Sequence, residues 1–149
     1  MVIHPRDHDL ILATHGRGII IIDDLTIIRN ITPQLLEQDM AFIPTRPYYF
    51  PKGGISQDFP GDDEFVGRNP IGSPIVAYYL KKRHVMGEMY MEIYDAQGNF
   101  LKRQPAANRK GVNVQTLQTV IPAPKVPSSP ALLAEAAFGP SFDAGEYIV

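Results

Sequence analysis

Apolar residues in this chain recur in short blocks broken by turn formers, the pattern of strands rather than of long helices. Leu10-Ile11-Leu12-Ala13-Thr14 is one block and Ile19-Ile20-Ile21-Ile22-Asp23 the next, with His15-Gly16-Arg17-Gly18 between them. The spacing predicts a β-hairpin with a tight turn. Four consecutive isoleucines put apolar groups on both faces of their strand, which suits a strand covered on both sides. A hairpin alone supplies no such cover, so this one is expected to be half of a larger unit or to dock on a partner surface.

Later in the chain the same reading predicts strands over Ile75-Val76-Ala77-Tyr78-Tyr79-Leu80, Met89-Tyr90-Met91-Glu92-Ile93-Tyr94 and Phe100-Leu101-Lys102-Arg103. Three antiparallel strands with one apolar face are enough to begin a small β-sandwich. Asp95-Ala96-Gln97-Gly98-Asn99 lies between the last two and has the chemistry of a turn. Asp95 starts it, and Gly98 supplies the positive φ of a G1 bulge. Asp23 or Asp24 is placed to cap a helical turn over residues 25–29. Thr32 as N-cap and Pro33 at the first helical position open a short amphipathic helix. Met40-Ala41-Phe42-Ile43-Pro44 reads as an edge strand, because Pro44 has no amide to give to a central ladder. Residues 52–69 form a long Gly- and Asp-rich loop, 122–130 a proline-rich extended connection, and 131–137 a turn or two of helix.

Composition narrows the chemistry. The 149 residues contain no cysteine, which excludes disulfides, thiolate metal sites and thiol nucleophiles. Fourteen prolines and twelve glycines favour a loop-rich β fold over a helical bundle. The net charge of −2 gives no footprint for nucleic acid, and Lys81-Lys82-Arg83-His84 reads as a solvated strand end. No apolar run approaches the ~20 residues of a membrane span, and no signal segment follows Met1.

The run from His4 to Leu25, HPRDHDLILATHGRGIIIIDDL, resembles the closing blade of the sortilin-like, BNR-repeat β-propeller proteins often labelled glycosyl hydrolases. It departs from that pattern at Ile20, where the family usually has Trp. The strands after Gly72, the Asp95–Asn99 turn, Gly111-Val112-Asn113-Val114-Gln115-Thr116-Leu117 and the final Gly145-Glu146-Tyr147-Ile148-Val149 are similar to the immunoglobulin-like module that follows such a propeller. Leu117 stands where that module usually has Trp. The resemblance implies a mainly β chain: an immunoglobulin-like antiparallel β-sandwich over residues 71–149, preceded by a remnant of the last propeller blade over 1–25 and a helical spacer and loop over 26–70. It also implies a fragment cut at both ends, export from the cell, and the rest of the propeller as partner.

Candidate chemistry is sparse. His15 and Arg17 sit at the hairpin tip, where they serve a ligand or simply the turn. Tyr78 and Tyr79 belong to a set with Tyr48, Tyr49, Phe50, Tyr90 and Tyr94 that offers either sugar stacking or core packing. Alternation sends Tyr78 and Tyr79 to opposite faces. His4, Asp7, His8 and Asp9 crowd together but read better as a turn in which Asp7 and Asp9 bond backbone amides. Asp23-Asp24 and Asp62-Asp63-Glu64 are adjacent acids without the cleft that glycoside hydrolysis needs between two carboxyls. No catalytic residue, cofactor or metal is expected. The expected function is a non-catalytic structural or interaction module, with self-association through Ile19 to Ile22. The alternatives are a carbohydrate-binding module, or a piece of a glycan hydrolase whose active site lies in the propeller.

Overall fold

A computed structural model describes residues 1–16, 18–49, 73–122 and 139–149. Arg17, the loop over 52–69, the helix over 131–137 and nearly all of the proline-rich connection lie outside the described residues. Among the described residues the chain is mainly β, with antiparallel sheets and two short helices. Its described residues form two compact units, neither continuous in sequence. The first draws on Met1–Pro47, Ile75–Met86 and Asn108–Gln115, the second on Tyr48–Pro74, Gly87–Ala107 and Thr116–Val149.

In the first unit, β1 (Val2–Ile3), β2 (Leu10–Thr14) and β3 (Gly18–Ile22) make an antiparallel meander in that order. The hairpin of β2 and β3 has the predicted turn, with Gly16 at φ +81° and Gly18 at φ +83°, dihedrals closed to most side chains. The sequence pattern did not signal β1, which is only two residues long. Every residue of β3 is exposed, from Ile19 at 71% to Ile22 at 41%, so the described residues do not supply the two-sided cover that its isoleucines suit.

Two helices follow, α1 (Thr26–Arg29) and α2 (Pro33–Glu37), and neither buries a residue. The Thr32 side chain accepts from the Leu35 amide and Pro33 takes the first helical position, as the sequence predicts. The second sheet of this unit runs β4 (Met40–Ile43), β5 (Ile75–Leu80), β8 (Gly111–Thr116). Here β4 takes an edge, as Pro44 requires. Central β5 buries Ala77, Tyr78 and Leu80.

The second unit holds β6 (Tyr90–Asp95), flanked by β7 (Phe100–Pro105) and β9 (Tyr147–Ile148). Thus β5 does not share a sheet with β6 and β7, although the three strands read as one apolar-faced set. The reason lies in the connection over residues 81–89, which is too long for a close hairpin and leads the chain into another sheet. The turn between β6 and β7 forms as expected. Asp95 Oδ1 accepts from the amides of Gln97 and Asn99 at 2.9 and 2.8 Å, and Gly98 adopts φ +83°. The register then steps from Ile93 opposite Lys102 to Tyr94 opposite Phe100, leaving Leu101 as the extra residue of a bulge.

Candidate functional site

The residues of the HPRDHD and DDL runs converge on one junction, where β1 turns into β2 and β3 turns into α1. His8 and Asp24 both hold positive φ, at 60° and 45°. Such a backbone is costly outside glycine and needs surrounding bonds to hold it. Those bonds are present. The His8 amide donates to His4 O at 3.0 Å, and the Leu25 amide donates to His8 O at 3.0 Å. The Asp24 amide donates to Asp9 Oδ1 at 3.0 Å, while Asp24 Oδ1 accepts from the Thr26 amide at 3.0 Å.

A basic residue from far along the chain closes the junction. Arg46 Nε donates to Asp24 Oδ2 at 3.2 Å, and Arg46 Nη1 to Arg6 O at 3.2 Å. Burial opposes the charge on Asp24, but the Thr26 hydrogen bonds and the Arg46 guanidinium outweigh it and hold the carboxyl below its usual range. Nothing local in the sequence marks Arg46, since its partner lies more than twenty residues upstream.

The expected roles of the acids are partly redistributed. Asp9 bonds a backbone amide, as read from the sequence. Asp7 instead takes the Arg6 guanidinium, with Nη2 at 2.8 Å from Oδ2. Asp24 caps from the residue before the N-cap, Leu25, because α1 begins one residue later than predicted. Every bond in the junction satisfies the backbone or another protein charge. It is built to fix a chain path.

The candidate ligand residues fall apart. His15 is exposed at the tip of the β2–β3 hairpin, and Arg17 lies outside the described residues. Tyr78 is only 1% exposed, its hydroxyl donates to Gln115 Oε1 at 3.1 Å, and its ring meets Phe42 edge-on at 6.4 Å. A ring so covered has no face to give to a sugar. Tyr79, on the other face of β5, is half-buried. Among the described residues no group of three His, Asp or Glu is arranged to hold a metal ion.

Two groupings go beyond the sequence reading, in which Tyr90 and Tyr94 belong to an aromatic set without Phe100 or Arg103. On the outward face of β6 and β7, exposed Tyr90 and Phe100 stand with half-buried Tyr94. Arg103 lies 4.4 Å above the Tyr90 ring, and the Tyr94 and Phe100 rings meet edge-on at 5.8 Å. The Tyr90 and Tyr94 hydroxyls donate to Glu88 and Glu92. Only the alternation of Tyr90, Glu92 and Tyr94 hints at this face.

The inward face of β7 is polar. Lys102, 6% exposed, donates from Nζ to Val120 O at 2.6 Å. Gln104 donates from Nε2 to Thr116 O and accepts at Oε1 from the Gln118 amide, both at 3.0 Å. Burial pushes the Lys102 amine below its ordinary pKa. No protein-family model, curated protein or solved structure matches this chain.

Proposed function

We propose that this chain is a non-catalytic structural and interaction module, an immunoglobulin-like β-sandwich that carries the closing hairpin of a BNR-type β-propeller in an exported protein. The observation that carries this reading is β3, an edge strand of four isoleucines with no residue buried. An exposed apolar edge offers unpaired backbone groups to another strand. The junction around Asp24 supports the same reading, since its bonds fix the hairpin's exit. Docking against propeller strands would give the isoleucines the two-sided cover their sequence demands.

Amide hydrogen exchange tests the docking. The amides of Ile19 to Ile22 exchange fast in the 149-residue chain and slow markedly when it is joined to the propeller. Equal exchange in both sinks the reading. Release of reducing ends from a glycan panel by the 149-residue chain alone would remove the non-catalytic part.

One observation favours a second reading, glycan binding. Tyr90, Tyr94 and Phe100 share the outward face of β6 and β7 with Arg103. Sugar rings stack their C–H faces on such rings, while guanidinium and carboxylate groups take up hydroxyls. Titration calorimetry with neutral polysaccharides decides it: heat that disappears in Tyr90→Ala supports it, and no heat with any polysaccharide rejects it.

A further inference from the structure

The densest positive charge in the chain belongs to neither motif. Lys81-Lys82-Arg83-His84-Val85-Met86 leaves the end of β5, and Arg109-Lys110 leads into β8. These segments are more than twenty residues apart, yet the His84 amide donates to Asn108 O at 3.1 Å and sets them side by side. Lys82, Arg83, Arg109 and Lys110 are all exposed. Among the described residues none of them forms an ion pair. Lys81 is otherwise engaged, its Nζ donating to Glu37 O at 2.9 Å. Four unpaired cations therefore gather at one end of the first unit, in a chain whose net charge is −2.

Val85 and Met86, which follow Arg83 with only His84 between, are 78% and 81% exposed. Two nearly bare apolar side chains beside a run of cations make a particular combination. Cations alone suit any polyanion, whether nucleic acid or sulfated glycan. Such a partner would leave Val85 and Met86 in water, and the paired loops present no Phe, Tyr or Trp for a base to stack on, their one ring being the half-buried His84. An anionic bilayer answers both features: lipid phosphates and carboxylates meet the lysines and arginines, and the apolar pair enters the boundary beneath the headgroups. The long stems of Lys82 and Lys110 let their ammonium groups stay in the headgroup layer while the loop settles.

We propose that the paired loops 81–86 and 108–110 form a peripheral docking site for the anionic surface of a phospholipid bilayer, with Lys82, Arg83, Arg109 and Lys110 as the electrostatic contact and Val85 and Met86 as the inserting tip. The site shares no residue with β3 or with the β6–β7 face. No helix among the described residues is long and apolar enough to cross a membrane.

Vesicle flotation of the 149-residue chain tests it, using phosphatidylcholine vesicles with and without phosphatidylserine. The chain floats with the anionic vesicles and stays behind with the neutral ones. Salt at about 1 M, where the Debye length is about 3 Å, releases it. Each cation neutralised weakens the partition about fivefold, so Lys82→Gln and Arg109→Gln combined cost about twenty-five-fold. Val85→Ser with Met86→Ser weakens binding in the same vesicles with all cations intact. Circular dichroism and thermal melts of every variant confirm that the fold is kept. Failure to float with anionic vesicles overturns the proposal. So does flotation indifferent to the Val85 and Met86 changes, or retention on a sulfated polysaccharide without vesicle binding, either of which assigns the cations to a soluble polyanion.

Discussion

Strands β3 and β7 reverse the usual relation between hydropathy and burial, and in opposite senses. β3 is a glycine followed by four isoleucines, and among the described residues nothing buries any of them. β7 begins with Phe100, which is exposed, and buries Lys102 and Gln104. Burial in this chain follows from what lies against a strand, more than from what the strand is made of. The segment 116–120 crosses the inner face of β7, and the side chains there bond its backbone in place of a ladder. Each of those bonds is partly buried, where losing one partner costs more than an apolar side chain gains. No described segment crosses either face of β3.

The sharpest contrast to β3 is the neighbour of β7. Ile93 in β6 is fully buried opposite Lys102. Ile93→Ala is expected to lower the unfolding free energy by about 3–4 kcal/mol, measured by urea denaturation, because it removes transfer energy and leaves a cavity. Gln104→Leu comes next. It keeps the volume and adds hydrophobicity, yet leaves Thr116 O and the Gln118 amide unpaired, so about 2 kcal/mol is lost. If Gln104→Leu proves neutral or stabilising, the polar face of β7 is not what holds 116–120, and the contrast with β3 fails.

Asp24 sets the third effect, at the exit of β3. Asp24→Asn keeps the shape but loses the charge on Arg46 and weakens the Thr26 bond, costing about 1 kcal/mol at neutral pH. The sign with pH is definite. A carboxyl lowered in the folded state stabilises above its unfolded pKa of about 3.9 and loses that contribution as pH falls through the folded value. The variant therefore loses part of the acid dependence, and the stability gap between the two proteins closes on acidification. Lys102→Met gives a smaller change at neutral pH, within about 1 kcal/mol, since removing the desolvated amine offsets the bond left unmade at Val120 O. Its mark is at alkaline pH. With the folded Lys102 pKa lowered, the unfolded chain binds more protons as pH nears 10.5, so this residue makes stability rise with pH there. Tyr94, whose hydroxyl is pushed up first by its bond to Glu92, acts in the opposite direction. The difference between wild type and Lys102→Met isolates the lysine.

Much of the fold is legible from local chemistry. The β2–β3 hairpin, the Thr32-Pro33 helix start, the β4 edge and the Asp95–Gly98 turn rest on residues within a few positions of each other. What sequence reasoning misses depends on distant partners. Arg46 reaches Asp24, and Asn108 reaches His84, through bonds that leave no local pattern. The bulge at Leu101 sets which residues of β7 turn inward, so Phe100 ends outside and Lys102 inside. Valines 112 and 114 of β8 mislead in the same way: both are exposed while Asn113 is buried, bonded to Arg109 O and Gly111 O. Periodicity finds the strands but not the side that is covered.

The smallest expected change in stability belongs to β3 itself, and it tests the other half of the comparison. Ile20→Thr with Ile21→Thr keeps β-branching, and so the strand's backbone preference, while removing apolar surface from both faces. With neither side chain buried, unfolding shifts by less than about 0.5 kcal/mol. Association is another matter. An uncharged isoleucine edge without proline or bulge has none of the devices that keep strands apart. Sedimentation velocity is therefore expected to find concentration-dependent oligomers of the wild type and a monomer of the variant. A wild type that stays monomeric at every concentration means β3 tolerates water without a second copy, and self-association is withdrawn. A variant losing several kcal/mol means β3 is buried in solution, so that it differs from β6 and β7 only in what covers it.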